Sequence, residues 1–327
     1  MKGTYHLTVQ SVHLKYEMEF SRNLTILQGE SATGKTTLVD MIQEYILNGS
    51  DTGIQMSCDC PCAVVSGNTW MTQLQSIENS IVFIDEGNRF VASSDFARAV
   101  QRSSNYYVIV TREGLNNLPY SVTEIYGIRS SGKFASQEPV YHQMYRIYGE
   151  ELLKEDAGSG IVVVEDSNAG YEFFQGLCDP IGKEWIAAGG ASRIFGCLSE
   201  MDVEEGVTVI ADGAAFGSQI GRIYQLAEQR GNVRLYLPES FEWIILASDI
   251  LDDAQVRGIL EDPSAYIDSS GYFSWERYFT GLLVEKTKDT WRQYSKSRLN
   301  PVYLQGKACQ KIVEILPEKI RELFQSE

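Results

Sequence analysis

The sequence contains few prolines and histidines, and it lacks a long apolar run. Of its 327 residues, 8 are proline and 3 are histidine, while 43% are hydrophobic. This composition excludes an intrinsically disordered or collagen-like chain and is typical of a globular protein. No stretch of about eighteen apolar residues is present, and the N-terminus has no apolar segment typical of a signal peptide. We therefore expect a cytoplasmic protein that does not span a membrane.

Basic residues are also scarce, especially in the second half of the chain. The 28 Lys and Arg residues face 44 Asp and Glu residues, which gives a formal net charge of −16. Residues 1–149 carry 11 basic and 14 acidic side chains, whereas residues 150–327 carry 17 and 30. The charge therefore does not support binding of nucleic acid, and it argues against a DNA-translocating motor, which needs a basic channel.

The spacing of cysteine and histidine predicts neither disulfides nor a zinc site. Three of the six cysteines, Cys58, Cys60 and Cys62, lie close together. Without an export signal they should stay reduced. No Cys-x-x-Cys pair or nearby histidine completes a tetrahedral zinc site, so we expect free thiols. The three histidines lie far apart in sequence and predict no triad.

Buried-strand patterns alternate with amphipathic-helix patterns through most of the chain, which predicts an α/β fold with a mostly parallel sheet. The charged, then glycine- and serine-rich stretch 149–160 is the best candidate for a domain boundary, and the alternation restarts after it. We predict a first α/β domain over 1–150, a second over 158–250, and a helical C-terminal region over 251–327 packed on the second domain.

A glycine-rich turn between a predicted strand and a predicted helix matches the phosphate-binding loop, with the spacing Gly29-x4-Gly34-Lys35-Thr36. Its glycines let backbone N–H groups face a phosphate at the N-terminus of a helix. Lys35 would reach the β- and γ-phosphates, and the Thr36 hydroxyl would ligate Mg²⁺. The predicted nucleotide-binding residues are Gly29, Glu30, Ser31, Ala32, Thr33, Gly34, Lys35, Thr36 and Thr37.

Two further strands end in residues suited to phosphate chemistry. Asp85 and Glu86 directly follow the apolar run 81–84, and Thr111 and Arg112 follow another apolar run. An aspartate at this position holds the Mg²⁺ shell, while the next carboxylate can orient or deprotonate the attacking water. Thr111 and Arg112 would sense the γ-phosphate. We predict a Mg²⁺ site at Thr36 and Asp85, and Lys35, Glu86 and Arg112 as catalytic residues.

These motifs resemble the additional-strand class of P-loop ATPases, in which a sheet strand lies between the two Walker strands. The resemblance covers residues 20–130 and implies ATP and Mg²⁺ as cofactors. The absence of an Asn-Lys-x-Asp motif favours ATP over GTP. No LSGGQ-like segment precedes Asp85, so the hydrolysis mechanism of ABC-type ATPases is not expected. An arginine that triggers hydrolysis could come from a partner or from a second copy of the chain.

The second domain places acidic residues at the ends of predicted strands. Glu165 and Asp166 end its first strand, and Asp212 ends its third. This arrangement resembles the Toprim fold of topoisomerases, primases and OLD-family nucleases, whose acids hold Mg²⁺. The resemblance implies a second metal site at Glu165 and Asp212, to which Glu239 or Glu242 could add a ligand. Ala214 replaces the second aspartate of the family's motif, which leaves three readings: an inactive scaffold, an active metal site or an unrelated doubly wound domain.

An ATPase joined to a Toprim-like domain is similar in architecture to OLD-family proteins, which are linked to phage defence and mobile elements. The leading hypothesis is a slowly hydrolysing regulatory ATPase. Its nucleotide state would control a protein partner or self-assembly through the acidic C-terminal domain. The alternative is an ATP-regulated, Mg²⁺-dependent nuclease with an atypical site.

Overall fold

The computed structural model describes residues 1–29, 33–130, 140–149, 152, 160–165, 168–201 and 206–325. The chain is an α/β protein with one large, mostly parallel sheet, as the alternating pattern predicts. It divides into a first unit, Met1–Ile147 with Asp262–Phe273, and a second unit, Tyr148–Glu261 with Ser274–Glu327. Residues 262–273 thus belong to the first unit, although the sequence analysis assigns all of 251–327 to a region packed on the second domain.

In the part of the chain described, the sheet of the first unit has nine strands in the order β4-β1-β2-β9-β8-β3-β7-β6-β5. Antiparallel pairing joins β1 to β2 and β4, and β8 to β9, while the remaining neighbours are parallel. The strands are β1 (Tyr5–Gln10), β2 (Leu14–Phe20), β3 (Leu24–Leu27), β4 (Gln55–Cys58), β5 (Cys62–Val64), β6 (Ile81–Ile84), β7 (Tyr106–Val110), β8 (Ile125–Ser130) and β9 (Val140–Arg146).

The central strands β3, β6 and β7 are buried along their whole length. Strands that are covered on both faces read as continuous apolar runs, which is why the sequence predicts them well. The helices of this unit are α1 (Lys35–Asn48), α2 (Trp70–Leu74) and α3 (Ser94–Gln101). Leu38 and Ile42 of α1 are fully buried in a core shared with β1, β2 and β6. Gly49, with φ +66°, is the C-cap of α1.

Cys58, Cys60 and Cys62 are free thiols, each partly buried against the core of the first unit. Cys58 ends β4, Cys62 begins β5 and Cys60 lies in the bend between them, which brings the three thiols within hydrogen-bond distance. Hydrogen bonds from the Cys60 and Cys62 thiols lower the pKa of Cys58. No described set of three or more His, Cys, Asp and Glu residues is arranged to hold a metal ion.

The second unit contains a four-stranded parallel sheet in the order β11-β10-β12-β13. Its strands are β10 (Ile161–Val164), β11 (Trp185–Ala187), β12 (Val207–Ile210) and β13 (Val233–Tyr236). Its helices are α4 (Ala169–Cys178), α5 (Ala191–Glu200), α6 (Gly217–Arg230), α7 (Phe241–Ala247), α8 (Ala254–Glu261), α9 (Trp275–Thr287), α10 (Gly306–Ile315) and α11 (Glu318–Arg321). No described helix combines the length and apolar character that crossing a bilayer requires.

Candidate functional site

The sheet of the first unit brings three of the predicted segments to one edge. Strand β7 lies between β3 and β6 and is parallel to both, with Val110 opposite Leu27 and Ile109 opposite Ile84. The carboxyl ends of adjacent parallel strands meet at the same edge of a sheet. The glycine turn after β3, the acids after β6 and the Thr-Arg pair after β7 therefore lie side by side.

The glycine turn is held from behind by two aromatic rings. Gly34 has φ +90°, and a Cβ atom there would lie 2.7 Å from the Tyr16 hydroxyl and 3.2 Å from Cε1 of His142. Only glycine fits such a position without strain. The Tyr16 hydroxyl donates to the Gly34 carbonyl at 3.0 Å, and the His142 ring stacks on Tyr16 with centroids 4.5 Å apart. Tyr16 and His142 thus form a wall that positions the turn.

The Lys35 ammonium lies over the turn and is largely removed from solvent. Its Nζ donates to the Gly29 carbonyl at 3.0 Å and to the Thr33 hydroxyl at 2.7 Å. Burial lowers the Lys35 pKa, while Glu86 and Asp85 oppose that change through their charges. Thr37 is exposed on the first turn of α1. The predicted residues Glu30, Ser31 and Ala32 lie outside the described residues.

Thr36 and Asp85 provide neighbouring oxygen atoms. The Thr36 hydroxyl donates to Oδ1 of Asp85 at 3.2 Å. Hydroxyl and carboxylate oxygens are the ligands that Mg²⁺ prefers, so these two residues fit the predicted metal role. The turn after Asp85 is fixed by Asn88, whose amide donates to the Asp85 carbonyl at 2.9 Å and accepts from the Gly67 N–H at 2.9 Å.

Glu86 and Arg112 form an ion pair that the sequence analysis did not predict. Nε of Arg112 lies 2.6 Å from Oε1 of Glu86, and both side chains are exposed by more than a third. Gln28 donates to the Arg112 carbonyl at 3.0 Å, which fixes the backbone beneath the guanidinium. The Thr111 hydroxyl donates to the Glu113 carbonyl at 3.0 Å and so stabilises the local turn. An exposed ion pair adds little stability, so either member can move to another charge at small cost.

We expect the stability of the wild-type protein to fall more steeply between pH 7 and pH 5 than that of His142→Phe. His142 is 8% exposed, and its buried Nδ1 has no hydrogen-bond partner among the described residues. Burial lowers the His142 pKa. The unfolded chain therefore binds a proton more readily, and stability is lost as pH falls through the ordinary histidine pKa of about 6.5.

Urea unfolding of wild type and variant at both pH values measures this difference. Phenylalanine keeps a flat ring against Tyr16 but cannot be protonated. His13→Gln, which replaces an exposed histidine, is the matched control and should keep the wild-type slope. Equal slopes in wild type and His142→Phe would contradict the prediction.

The second unit also brings predicted acids together, at the carboxyl ends of β10 and β12. The Asp212 N–H donates to Oε2 of Glu165 at 3.0 Å, and Oδ1 of Asp212 accepts from the Phe241 N–H at 3.1 Å. Burial raises the Asp212 pKa well above its ordinary range, and the charges of nearby glutamates add to this effect. Asp166 lies outside the described residues.

The remaining positions of the predicted second site do not all converge. Ala214 is buried, and its N–H donates to the Glu239 carbonyl at 3.1 Å, so the residue lies against the loop after β13. Glu242, in the first turn of α7, is buried instead of facing solvent. The cavity between Glu165 and Asp212 has a volume of about 20 Å³ and is otherwise mainly apolar. Such a cavity holds about one water molecule and no substrate.

No protein-family model and no curated protein sequence matches this chain. Function must therefore be argued from the sites themselves. Sequence reasoning missed the two residues that support the glycine turn, Tyr16 and His142. Their neighbours in space are distant in sequence, so no local motif contains them.

Proposed function

We propose that this protein binds ATP with Mg²⁺ at the carboxyl ends of β3, β6 and β7 and hydrolyses it slowly. One observation carries the proposal. A buried lysine in a glycine turn, a hydroxyl–carboxylate pair and a glutamate–arginine pair meet at one sheet edge. The position of β7 between β3 and β6 supports the resemblance to the additional-strand ATPases.

Phosphate binding would use Lys35 and the start of α1. The first backbone N–H groups of a helix have no acceptor within the helix, and the helix dipole favours an anion there. Lys35 adds a positive charge that already lies over the turn, close to where the β- and γ-phosphates would bind. Tyr16 and His142 hold Gly34 from behind, so the glycine turn would lose little conformational freedom when the phosphates bind.

Hydrolysis would use the other two pairs. Thr36 and Asp85 would hold Mg²⁺, which supplies charge neutralisation for the phosphates when bound. Glu86 would orient the attacking water or accept its proton. Arg112 would contact the γ-phosphate and supply a second positive charge there. Because Arg112 would then leave its ion pair with Glu86, the Glu86 carboxylate would be released.

The proposed output is regulation of a protein partner or of self-assembly. The second half of the chain carries 30 acidic and 17 basic side chains, so its surface field favours a basic partner surface. If bound nucleotide changed the affinity for this partner, the ATPase would act as a switch. The alternative is an ATP-regulated, Mg²⁺-dependent nuclease, for which the described residues of the second unit provide no set of three or more metal-binding side chains as support.

Calorimetric titration with a non-hydrolysable ATP analogue tests the binding step. We expect one site per chain that depends on Mg²⁺, and binding of the matching GTP analogue weaker by about tenfold or more, or about 1.4 kcal/mol. Phosphate release from ATP should be slow and should require Mg²⁺. Failure to bind either analogue at millimolar concentration would refute the proposal.

A further inference from the structure

The bend between β4 and β5 gathers three of the six cysteines of the chain. Cys58 is the last residue of β4, Cys62 is the first residue of β5, and Cys60 lies between them. All three side chains pack against the core of the first unit, and each is only partly buried. The thiols therefore share one side of the bend, and a small solute can reach them from solvent.

Hydrogen bonds on both sides of the bend fix its shape. The Asp59 N–H donates to the His6 carbonyl at 3.2 Å, and Oδ2 of Asp59 accepts from the His6 N–H at 2.8 Å. The Pro61 carbonyl accepts from the Ile81 N–H at 2.9 Å. Pro61 also restricts its own backbone and that of Cys60. The thiols are thus held together before any reaction, so little conformational entropy is lost when two of them join.

Cys58 is the thiol best suited to react. Hydrogen bonds from the thiols of Cys60 and Cys62 favour its thiolate and lower its pKa. The thiolate, not the thiol, is the nucleophile of cysteine chemistry. Cys197 and Cys309 are also partly buried, but burial raises the pKa of each. These two cysteines therefore serve as internal references that lack the neighbouring thiols.

Cys62 is the better disulfide partner for Cys58. A disulfide needs a dihedral angle near about 90° and Cα atoms about 4.4–6.8 Å apart. The three residues between Cys58 and Cys62 already form a bend, and the Cys62 thiol donates to the Cys60 carbonyl within it at 3.9 Å. Only one residue separates Cys58 from Cys60, and Pro61 disfavours a compact backbone at Cys60. A ring that joins Cys58 to Cys62 is therefore less strained.

We propose that Cys58 and Cys62 form a reversible redox site that hydrogen peroxide oxidises to a disulfide. The Cys58 thiolate attacks one peroxide oxygen, the O–O bond breaks, and the hydroxide that leaves takes up the proton of the former thiol to give water. The sulfenic acid on Cys58 is then attacked by the Cys62 sulfur. The S–O bond breaks, and hydroxide leaves with the Cys62 proton as a second water molecule. Two thiols lose two electrons, and one peroxide is reduced to two water molecules.

Peptide mapping after oxidation tests the proposal on the full, reduced chain without nucleotide. The protein is treated with one equivalent of hydrogen peroxide, the remaining thiols are alkylated, and the peptides are analysed by mass spectrometry. We expect Cys58 and Cys62 to be linked with the loss of two hydrogen atoms, and dithiothreitol to reverse the link. Cys60 should stay alkylated, and Cys197 and Cys309 should be oxidised at least about tenfold more slowly than Cys58.

Three serine variants separate the roles of the thiols. In Cys62→Ser the reaction should stop at a sulfenic acid on Cys58, which dimedone traps. In Cys58→Ser the disulfide should not form. Cys60→Ser is the matched control and should keep the link between Cys58 and Cys62, because serine can still donate a hydrogen bond. Thermal unfolding checks that each variant is folded, and if one is not, the map of the wild-type protein decides.

The pH dependence of alkylation provides a readout that a structural role would not change. Between pH 8 and pH 5, the reaction of Cys309 with iodoacetamide should slow by about tenfold per pH unit, because its thiolate is lost. Cys58 should slow less steeply. The proposal would be overturned if Cys58 followed the slope of Cys309, if the disulfide joined Cys58 to Cys60, or if peroxide left the Cys58 and Cys62 thiols free.

Discussion

Lys35→Ala is expected to weaken binding of Mg-ATP by about 100-fold or more. The ammonium makes two hydrogen bonds to the glycine turn and lies where the phosphates would bind. Charge-assisted hydrogen bonds contribute about 1.5–3 kcal/mol each, so the loss of two to a phosphate amounts to at least two orders of magnitude. Calorimetric titration with a non-hydrolysable ATP analogue measures the change.

The fold should survive this substitution, because alanine removes a buried charge and is a good helix former at the start of α1. Thermal unfolding without nucleotide checks that point. Lys15→Ala is the matched control, since Lys15 pairs with Glu17 on β2 and lies outside the glycine turn. Wild-type affinity in Lys35→Ala would show that the phosphates bind elsewhere.

Glu86→Gln is expected to keep Mg-ATP binding and to lower the turnover number by about 10²- to 10⁴-fold. Glutamine has the same shape as glutamate, but it cannot accept a proton from water. It also removes the charge that pairs with Arg112 at 2.6 Å, so Arg112 should turn more readily to the γ-phosphate. Single-turnover assays should therefore find unhydrolysed ATP on the variant long after the wild type has released ADP.

The neighbouring exposed acid provides the comparison for this experiment. Glu113→Gln changes the same charge on the segment that follows β7, and it should hydrolyse ATP at the wild-type rate. A Glu86→Gln variant that turns over normally would exclude Glu86 as the group that acts on water. A variant that fails to bind ATP would instead indicate that the Glu86–Arg112 pair supports the structure of the site.

The elements that the sequence predicts well are those whose signal is local. Strands β3, β6 and β7 are covered on both faces, so their residues form unbroken apolar runs. The signal for the glycine turn is also local, because the positive φ of Gly29 and Gly34 depends on the residue type. Helix α2 shows where local patterns are less decisive. By its sequence alone, the segment NTWMTQLQSIENS predicts a helix over 68–80, but α2 spans only Trp70–Leu74.

Strand β9 shows what the local pattern misses. It pairs in parallel with β2 and antiparallel with β8, and it was not predicted. Its residues alternate between exposed and partly buried, with only His142 buried. The strand has no unbroken apolar run, and its buried position is the polar His142 while Tyr141 and Tyr145 are exposed, so the sequence lacks the apolar–polar alternation that predicts a half-buried strand. Its pairing partners, not its own composition, decide that it joins the sheet.

The sequence by itself determined the α/β class, the glycine turn and the acids at the strand ends, because each follows from periodicity or spacing within a few residues. Only the tertiary structure decided that Arg112 pairs with Glu86 and that Tyr16 and His142 support Gly34. Each of these contacts joins residues at least 18 positions apart. Such contacts form only when strand order and helix packing bring distant segments together, and no local pattern encodes that order.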